Sequence, residues 1–509
     1  MNNMDCKLAG IIGIANAAVR IGAALLVFLI PVVLVLHDLR DPNLRSPGIP
    51  QSAWRLHRAL TPKVERWASK RIESNRAAQL STSNISGTEW PLFGSVFYLW
   101  ATESLQNAWE TNHPAATVAP KEYARQAIVA AVRLVIDPQQ ASWVKIHWGT
   151  NYLKTENVFY RMLVIAALTS HARLTDDSQY LPMLRDQVES LSSELNASRH
   201  GILDDYPGEC YPGDVLTAIA MIRRADQVLG TDHSSFLQRA VRGFQDKRLD
   251  PRGLVPYAAN ADRGEPLGPS RGCGNSYVGL FSPEIWPEQA RQWYDLYTRF
   301  FWQEAWTATG FREFPQDLPG HDWYMDVDAG PVLKGYGFAA CAFGVGAARV
   351  NGHFEHAFPL ATEMFAASCP LPDGTLLVPR LLSNAADAPY LGEAAILFNL
   401  TRLPASGMSV HTGTSIPRFT FIVLFLQGGT GLLLTAHSLR GIHRWRKRAD
   451  EVLTLHCHWQ FGIWFCLCAT GLCLLLLDHW AFALGALLAA QLLPRLRGQT
   501  PTPSSSDKV

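Results

Sequence analysis

Asp204-Asp205-Tyr206-Pro207-Gly208-Glu209-Cys210-Tyr211-Pro212-Gly213-Asp214 runs directly into an apolar stretch of helical period that begins at Val215. Two prolines and two glycines hold this segment to a tight, irregular path, and Pro212 suits the first turn of a helix. Linkers of the same polar and aromatic character recur along the chain. They are Thr88-Glu89-Trp90-Pro91, His147-Trp148-Gly149-Thr150-Asn151-Tyr152, Arg271-Gly272-Cys273-Gly274-Asn275 and the segment from His321 to Gly330. Helical periodicity places about twelve helix starts, near Trp54, Pro91, Pro120, Lys154, Asp177, Gly213, His233, Gly274, Pro287, Gly330, His353 and Tyr390. The decorated linkers precede the even-numbered helices, while those before the odd-numbered ones are plainer. That alternation predicts six helical hairpins in a ring, an all-α (α/α)6 toroid whose inner helices enter from one side. Their preceding loops then line a central cavity, with helix N-termini adding positive dipole ends. An irregular helical bundle with long surface loops is the plainer alternative.

The ends of the chain read differently. Residues 1–37 hold an apolar run from Leu8 to Leu36 broken by Arg20, and residues 417–497 hold three more: Phe419 to His437, Trp459 to Leu477 and Trp480 to Leu493. With Arg20 snorkelling, the first reaches the roughly 20 residues a span needs. No short apolar core followed by a small-x-small site marks it as a cleaved signal peptide, so an uncleaved anchor is expected. Four transmembrane helices therefore flank the domain at 38–416, and a polar tail at 498–509 is expected to be disordered. The basic run from Arg440 to Arg448 reads as cytoplasmic, as do Lys7, Arg20, Arg495 and Arg497. The resulting expectation is a multi-pass protein of the cytoplasmic (inner) membrane with its main domain extracytoplasmic and its C-terminus cytoplasmic. Its 45 basic and 44 acidic side chains leave no field to favour nucleic acid. Cys457, Cys466, Cys468 and Cys473 lie in or beside a span and read as small apolar residues.

Carboxylates dominate the decorated loops. Placed together in a partly apolar pocket, two such groups are driven to different pKa values and divide into acid and base. Asp205 and Asp214 are candidates for this role, beside Tyr206, Glu209 and Cys210, although Asp214 is also placed to cap the helix that follows. Asp322, Asp326 and Asp328 form a second group. Asp-x-Asp can hold a divalent cation, but no calcium-loop spacing accompanies it, so a catalytic or substrate-binding role is expected and no metal or cofactor is called for. Glu89, Tyr98, Glu103 and the Lys154-Thr155-Glu156-Asn157 stretch with Tyr160 form a third, with buried hydrogen bonding between helices as the alternative role of Glu156 and Asn157, and Trp90 and Tyr152 of the linkers are expected to help bind substrate. Cys273 and Asn275 sit in the loop before the eighth helix. Cys210 and Cys273 could be a nucleophilic thiol with a histidine base or a disulfide, and sequence does not separate the two.

From Glu89 to Ala361 the chain resembles the linalool dehydratase/isomerase family, whose catalytic domain is an (α/α)6 toroid. The likeness lies in Lys154-Thr155-Glu156-Asn157-Val158-Phe159-Tyr160, the 204–214 loop and Leu229-Gly230-Thr231-Asp232-His233. It continues in Leu249-Asp250-Pro251-Arg252-Gly253 and Asp326-Val327-Asp328-Ala329-Gly330, in the same order. The resemblance implies that Asp205 and Asp214 stand where the family enzyme carries two cysteines, and that Glu89 matches its active-site aspartate. Leu163 stands near a family histidine.

Three readings follow. The first is a lyase, isomerase or hydrolase acting on a small or lipid-linked hydroxylated substrate, with Glu89, Asp205, Asp214 and Asp326 as acid and base. The second is a glycoside hydrolase acting on envelope or extracellular glycan. The third is a non-catalytic membrane assembly or binding subunit, a role compatible with self-association into a homo-oligomer.

Overall fold

The computed structural model describes residues 14–112, 117–244, 249–447, 453–454, 458–476, 480–491 and 497–498. Lys7, Arg448, Cys457, Arg495 and most of the C-terminal tail lie outside these residues. The chain divides into two compact units, one of Leu34–Val423 and the other of Met1–Val33 with Leu424–Val509.

In the second unit, apolar segments from the two chain ends come together. The helices Ile14–Asp38 and Arg418–His443, of 25 and 26 residues, are long and apolar enough to cross a membrane. The first carries a π-helical turn at Ala24–Leu29. Gln427 Nε2 donates to the Val27 carbonyl at 3.2 Å, and Gly431 leaves room for Leu29 and Phe28, as small residues do where apolar helices approach closely. The other two apolar stretches are also helical, at His458–Leu476 and Trp480–Gln491. The last has 12 residues, about 18 Å of helix against a hydrocarbon core of roughly 30 Å. Among the described residues, two of the four expected spans are helices both long and apolar enough to cross a membrane. Trp464 Nε1 donates to Asn16 Oδ1 at 2.6 Å, tying the third apolar helix to the first.

The larger unit is mostly helical, with a few short strands. Its helices of ten residues or more are numbered here α1 (Gln51–Ser74), α2 (Trp90–Asn112), α3 (Arg125–Ile136), α4 (Val158–Leu174), α5 (Leu181–Ala197) and α6 (Pro212–Leu229). They continue as α7 (Ser234–Gly243), α8 (Gly272–Ile285), α9 (Pro287–Phe301), α10 (Phe338–Val350), α11 (Phe354–Ser368) and α12 (Leu391–Leu400). Each even-numbered helix packs on the next, α2 on α4, α4 on α6, α6 on α8, α8 on α10 and α10 on α12, and α12 returns to α2. The odd-numbered helices lie outside this cycle: α1 packs on α3, α3 on α2 and α4, α5 on α4 and α6, α9 on α8, and α11 on α10.

Composition explains which helices lie inside. α4 and α8 are buried on nearly every face, while α7 and α9 are buried along one stripe, as expected for central and peripheral helices. Where α8 meets α10, Gly279 approaches the Ala347 Cβ so closely that an added Cβ would lie 3.1 Å from it. Across the ring, Phe97 and Trp100 of α2, Phe281 of α8 and Phe398 of α12 stack on one another with centroids 5.1–6.2 Å apart. All four are at least 98% buried, each ring stabilising the fold by about 1.5–3 kcal/mol.

At the C-terminal ends of the inner helices, ion pairs replace apolar packing. Glu284 of α8 receives Arg224 Nη2 of α6 at 2.6 Å and also pairs with Arg402 just after α12. The two guanidiniums hold its carboxyl at about 2 despite burial, which pushes the other way. Glu284→Gln is expected to lower stability by about 2–3 kcal/mol, less than for a fully enclosed pair. The depressed pKa makes this contribution complete above the unfolded value of 4.5 and lost as pH falls from there towards about 2. Denaturation of the detergent-solubilised chain at pH 7 and pH 3 checks both statements.

One expected helix start is corrected. The tenth helix begins at Phe338 rather than near Gly330. The intervening residues form a three-stranded antiparallel sheet of Trp323–Asp326, Gly330–Leu333 and Tyr336–Gly337. Gly330 at φ +61° and Gly335 at φ +86° make its turns, conformations that favour glycine over a helix start.

A carboxylate cluster at the N-termini of the inner helices

The loops ahead of α2, α6, α8 and α10 bring their functional side chains to one end of the ring. Glu89 follows the short helix Ile85–Thr88 and directly precedes α2. Asp214 lies in the first turn of α6, where no side chain caps the helix and Tyr211 is the N-cap residue. The capping role considered for Asp214 is therefore not the one it takes. Asp328 comes from the turn between the first two strands of the sheet.

These three carboxylates act on one another. Burial, then the charges of Asp328 and Glu89, raise Asp214 from 3.8 to about 8. Glu89 is raised to about 7 by burial, against a hydrogen bond from Tyr206 and with a further push from Asp328. Burial also lifts Asp328, opposed by the Tyr257 hydrogen bond, but its side chain is open to solvent, which weakens that push. Tyr206 Oη donates to Glu89 Oε1, and Tyr257 Oη to Asp328 Oδ2. Helix dipoles favour the charged forms here, yet burial, with the neighbouring like charges added to it, prevails.

Beneath them lies an aromatic floor. Phe93 touches Phe159 and Tyr277 at centroid distances of 5.7 and 5.8 Å, and Tyr277 touches Phe343 at 5.6 Å. Phe93, Phe159 and Phe343 are partly exposed, so a portion of each ring is accessible.

Other candidates serve the scaffold. Asp205 is 1% exposed. Its Oδ2 accepts from the Tyr211 amide at 2.7 Å, while Oδ1 is buried without a hydrogen-bond partner. Burial and Asp214 push its carboxyl well up, so it stands behind Asp214 rather than on the accessible surface. Asp326 is engaged by Arg271 Nη1 at 2.8 Å and accepts from the Ala329 amide. Those contacts hold it below its usual value in spite of burial. Asp322 pairs with Arg312 at 3.0 Å in a separate open depression shared with Trp302 and Glu304.

Tyr98 is fully buried and bonds Thr61 of α1 at 2.8 Å, so it faces the outer layer and not the interior. Glu156 accepts from the Asp204 amide at 2.9 Å, and Asn157 donates to the Tyr152 carbonyl at 3.0 Å. Both residues have positive φ; Glu156 braces the 204–214 loop, while Asn157 ties back to the linker at Tyr152. Tyr152 is itself buried against Tyr160. Asn275 bonds the Val255 and Arg271 carbonyls. Glu209 accepts from Tyr211 Oη at 3.2 Å on the exposed side of the loop.

Cys210 and Cys273 are free thiols. Burial, reinforced by Asp205 for Cys210 and by Glu313 for Cys273, pushes both well above the ordinary thiol range, against a nucleophilic thiolate. Trp90 is half-exposed at the start of α2, beside Glu89.

Three participants escaped sequence reading. Arg271 joins Glu313 at 2.7 Å to Asp326 and lies 4.2 Å from the Tyr257 ring centre. Glu313 and Tyr257 sit in linkers with no recurring pattern, and only the folded chain reveals them. Compared with protein-family models and with curated proteins, the chain matches none.

Proposed function

We propose that this protein is a membrane-anchored enzyme that performs carboxylate acid/base chemistry on a small or lipid-like hydroxylated substrate. The observation that carries the reading is the convergence of Glu89, Asp214 and Asp328, with two carboxyls raised to about 7 and about 8, above an aromatic floor. Carboxyls raised into this range suit a general acid and a general base at neutral pH. The closed cycle of even-numbered helices supports an (α/α)6 toroid, and with it the likeness to linalool dehydratase/isomerase. The basic residues Arg440, at the end of the Arg418–His443 span, and Arg444, just after it, support an extracytoplasmic domain and a cytoplasmic C-terminus in the inner membrane.

In the lyase form of this reading, protonated Asp214 delivers its proton to the substrate hydroxyl, which leaves as water. Ionised Glu89 takes a proton from the adjacent carbon, and the electrons of that C–H bond become the double bond. Asp328 raises both carboxyls towards neutral pH, and the faces of Phe93 and Tyr277 stabilise positive charge developing on carbon. Asp205 and Asp326 position the loops in this scheme. The aromatic floor favours an apolar substrate body over a sugar. Glycoside hydrolysis is the second reading, favoured by the same carboxylates. The purified chain, incubated with a panel of tertiary and allylic alcohols and of aryl glycosides, distinguishes these by the alkene or the phenol released. Inactivity on both panels together with a stoichiometric co-purifying protein favours an assembly subunit instead.

Tyr206→Phe removes the hydrogen bond that restrains Glu89. Glu89 then rises further, and the acid limb of the pH–rate profile is expected to move up by on the order of one unit. An unmoved limb removes Glu89 from the base role.

A further inference from the structure

A second cluster of titratable groups lies away from the carboxylates. His353, Glu355 and His356 stand at the start of α11, after α10 has run about 20 Å from the carboxylate end. One ligand atom of each lies within 4.8 Å of the other two. Two ligands held about 2.0–2.1 Å from a tetrahedral zinc ion are separated by about 3.3–3.5 Å, so small side-chain rotations close the set. His353 Nδ1 meets Glu355 Oε1 at 2.7 Å, and the other carboxylate oxygen, Oε2, is buried without a hydrogen-bond partner.

The surroundings resemble a prepared outer shell. Tyr294 Oη bonds His356 Nδ1 at 3.1 Å and its ring stacks on His353 at 4.7 Å. Trp302 covers His356 at 4.5 Å. His411 lies parallel to His353 at 5.0 Å, a third imidazole beside the pair. Such partners fix ring orientation and exclude water from a metal site.

We propose that His353, Glu355 and His356 bind one divalent transition-metal ion of the zinc class. Two imidazoles and a carboxylate match the ligand preferences of zinc, while calcium and magnesium prefer all-oxygen shells. Water completes the coordination.

The test uses the full chain in detergent, carrying no polyhistidine tag, stripped with chelator and titrated with Zn²⁺ against a chromophoric competitor. One equivalent is expected to bind, with affinity falling at least tenfold in His353→Gln and in His356→Gln and unchanged in His233→Gln. X-ray absorption at the zinc edge of the wild-type protein is expected to show imidazole scattering, a readout independent of whether the variants fold. Absence of saturable uptake, wild-type affinity in both cluster variants, or a zinc shell without imidazole overturns the assignment.

Discussion

Asp214→Asn is expected to reduce turnover by about 10²–10⁴ while making the protein more stable at alkaline pH. Both effects have one origin. The Asp214 carboxyl is raised from 3.8 to about 8 by burial and by Asp328 and Glu89, so the folded chain holds a proton that the unfolded chain releases. Its contribution to stability is complete below about 3.8 and lost as pH rises through about 8. Asparagine has no proton to lose. The variant is therefore expected to exceed wild type by about 1–3 kcal/mol at pH 9 and to match it near pH 4. Glu89→Gln follows the same sign over the window from 4.5 to about 7. Activity on the substrate found by the alcohol panel, with denaturation at the two pH values, measures both. Wild-type turnover in both variants removes the acid/base assignment. Loss of turnover with no alkaline stabilisation removes the account of why the groups are raised.

The second large effect is structural. Arg271→Met is expected to cost about 3–5 kcal/mol, because it leaves charge enclosed without a partner. Glu313 is fully buried, and Arg271 Nε meets it at 2.7 Å while Nη1 reaches Asp326 at 2.8 Å. Burial lifts Glu313, and Arg271 is the main force opposing that lift. With the guanidinium gone, Glu313 must take up a proton or draw in water. Arg271→Met combined with Glu313→Gln is expected to recover more than half of the loss, since the uncompensated carboxylate is then absent. A double variant as unstable as the single one assigns the cost to lost packing against Tyr257 and Phe314, which the arginine also covers. Released from Arg271, Asp326 can also repel Asp328, so the pH dependence of any activity is expected to shift in the single variant.

Aspartates two residues apart show how far a pattern carries. Asp326 and Asp328 belong to one short motif and are alike as sequence. In the fold, Asp326 turns to Arg271 and to the amides of its own turn, while Asp328 faces Tyr257 and the other carboxylates. The choice depends on where Arg271, 55 residues before Asp326 in the chain, is brought by the packing of α8. Tyr98 makes the same point for an aromatic residue, since the helix phase that buries it against Thr61 depends on which face of α2 meets α1.

The apolar ends, the helical middle and the alternation of plain and decorated linkers are legible in the sequence because they rest on local chemistry. Hydropathy, periodicity and the turn preferences of proline and glycine act within a few residues of one another. Eleven of the twelve expected starts lie within a few residues of a helix start in the structure, and the exception near Gly330 is a strand where glycine turns compete with a helical pattern. The site required tertiary structure. Whether a carboxyl is raised, as in Glu89 and Asp214, or held low, as in Asp326 and Glu284, depends on burial and on partners distant in sequence. Those energies fall off over a few ångströms of space, and no spacing along the chain encodes them.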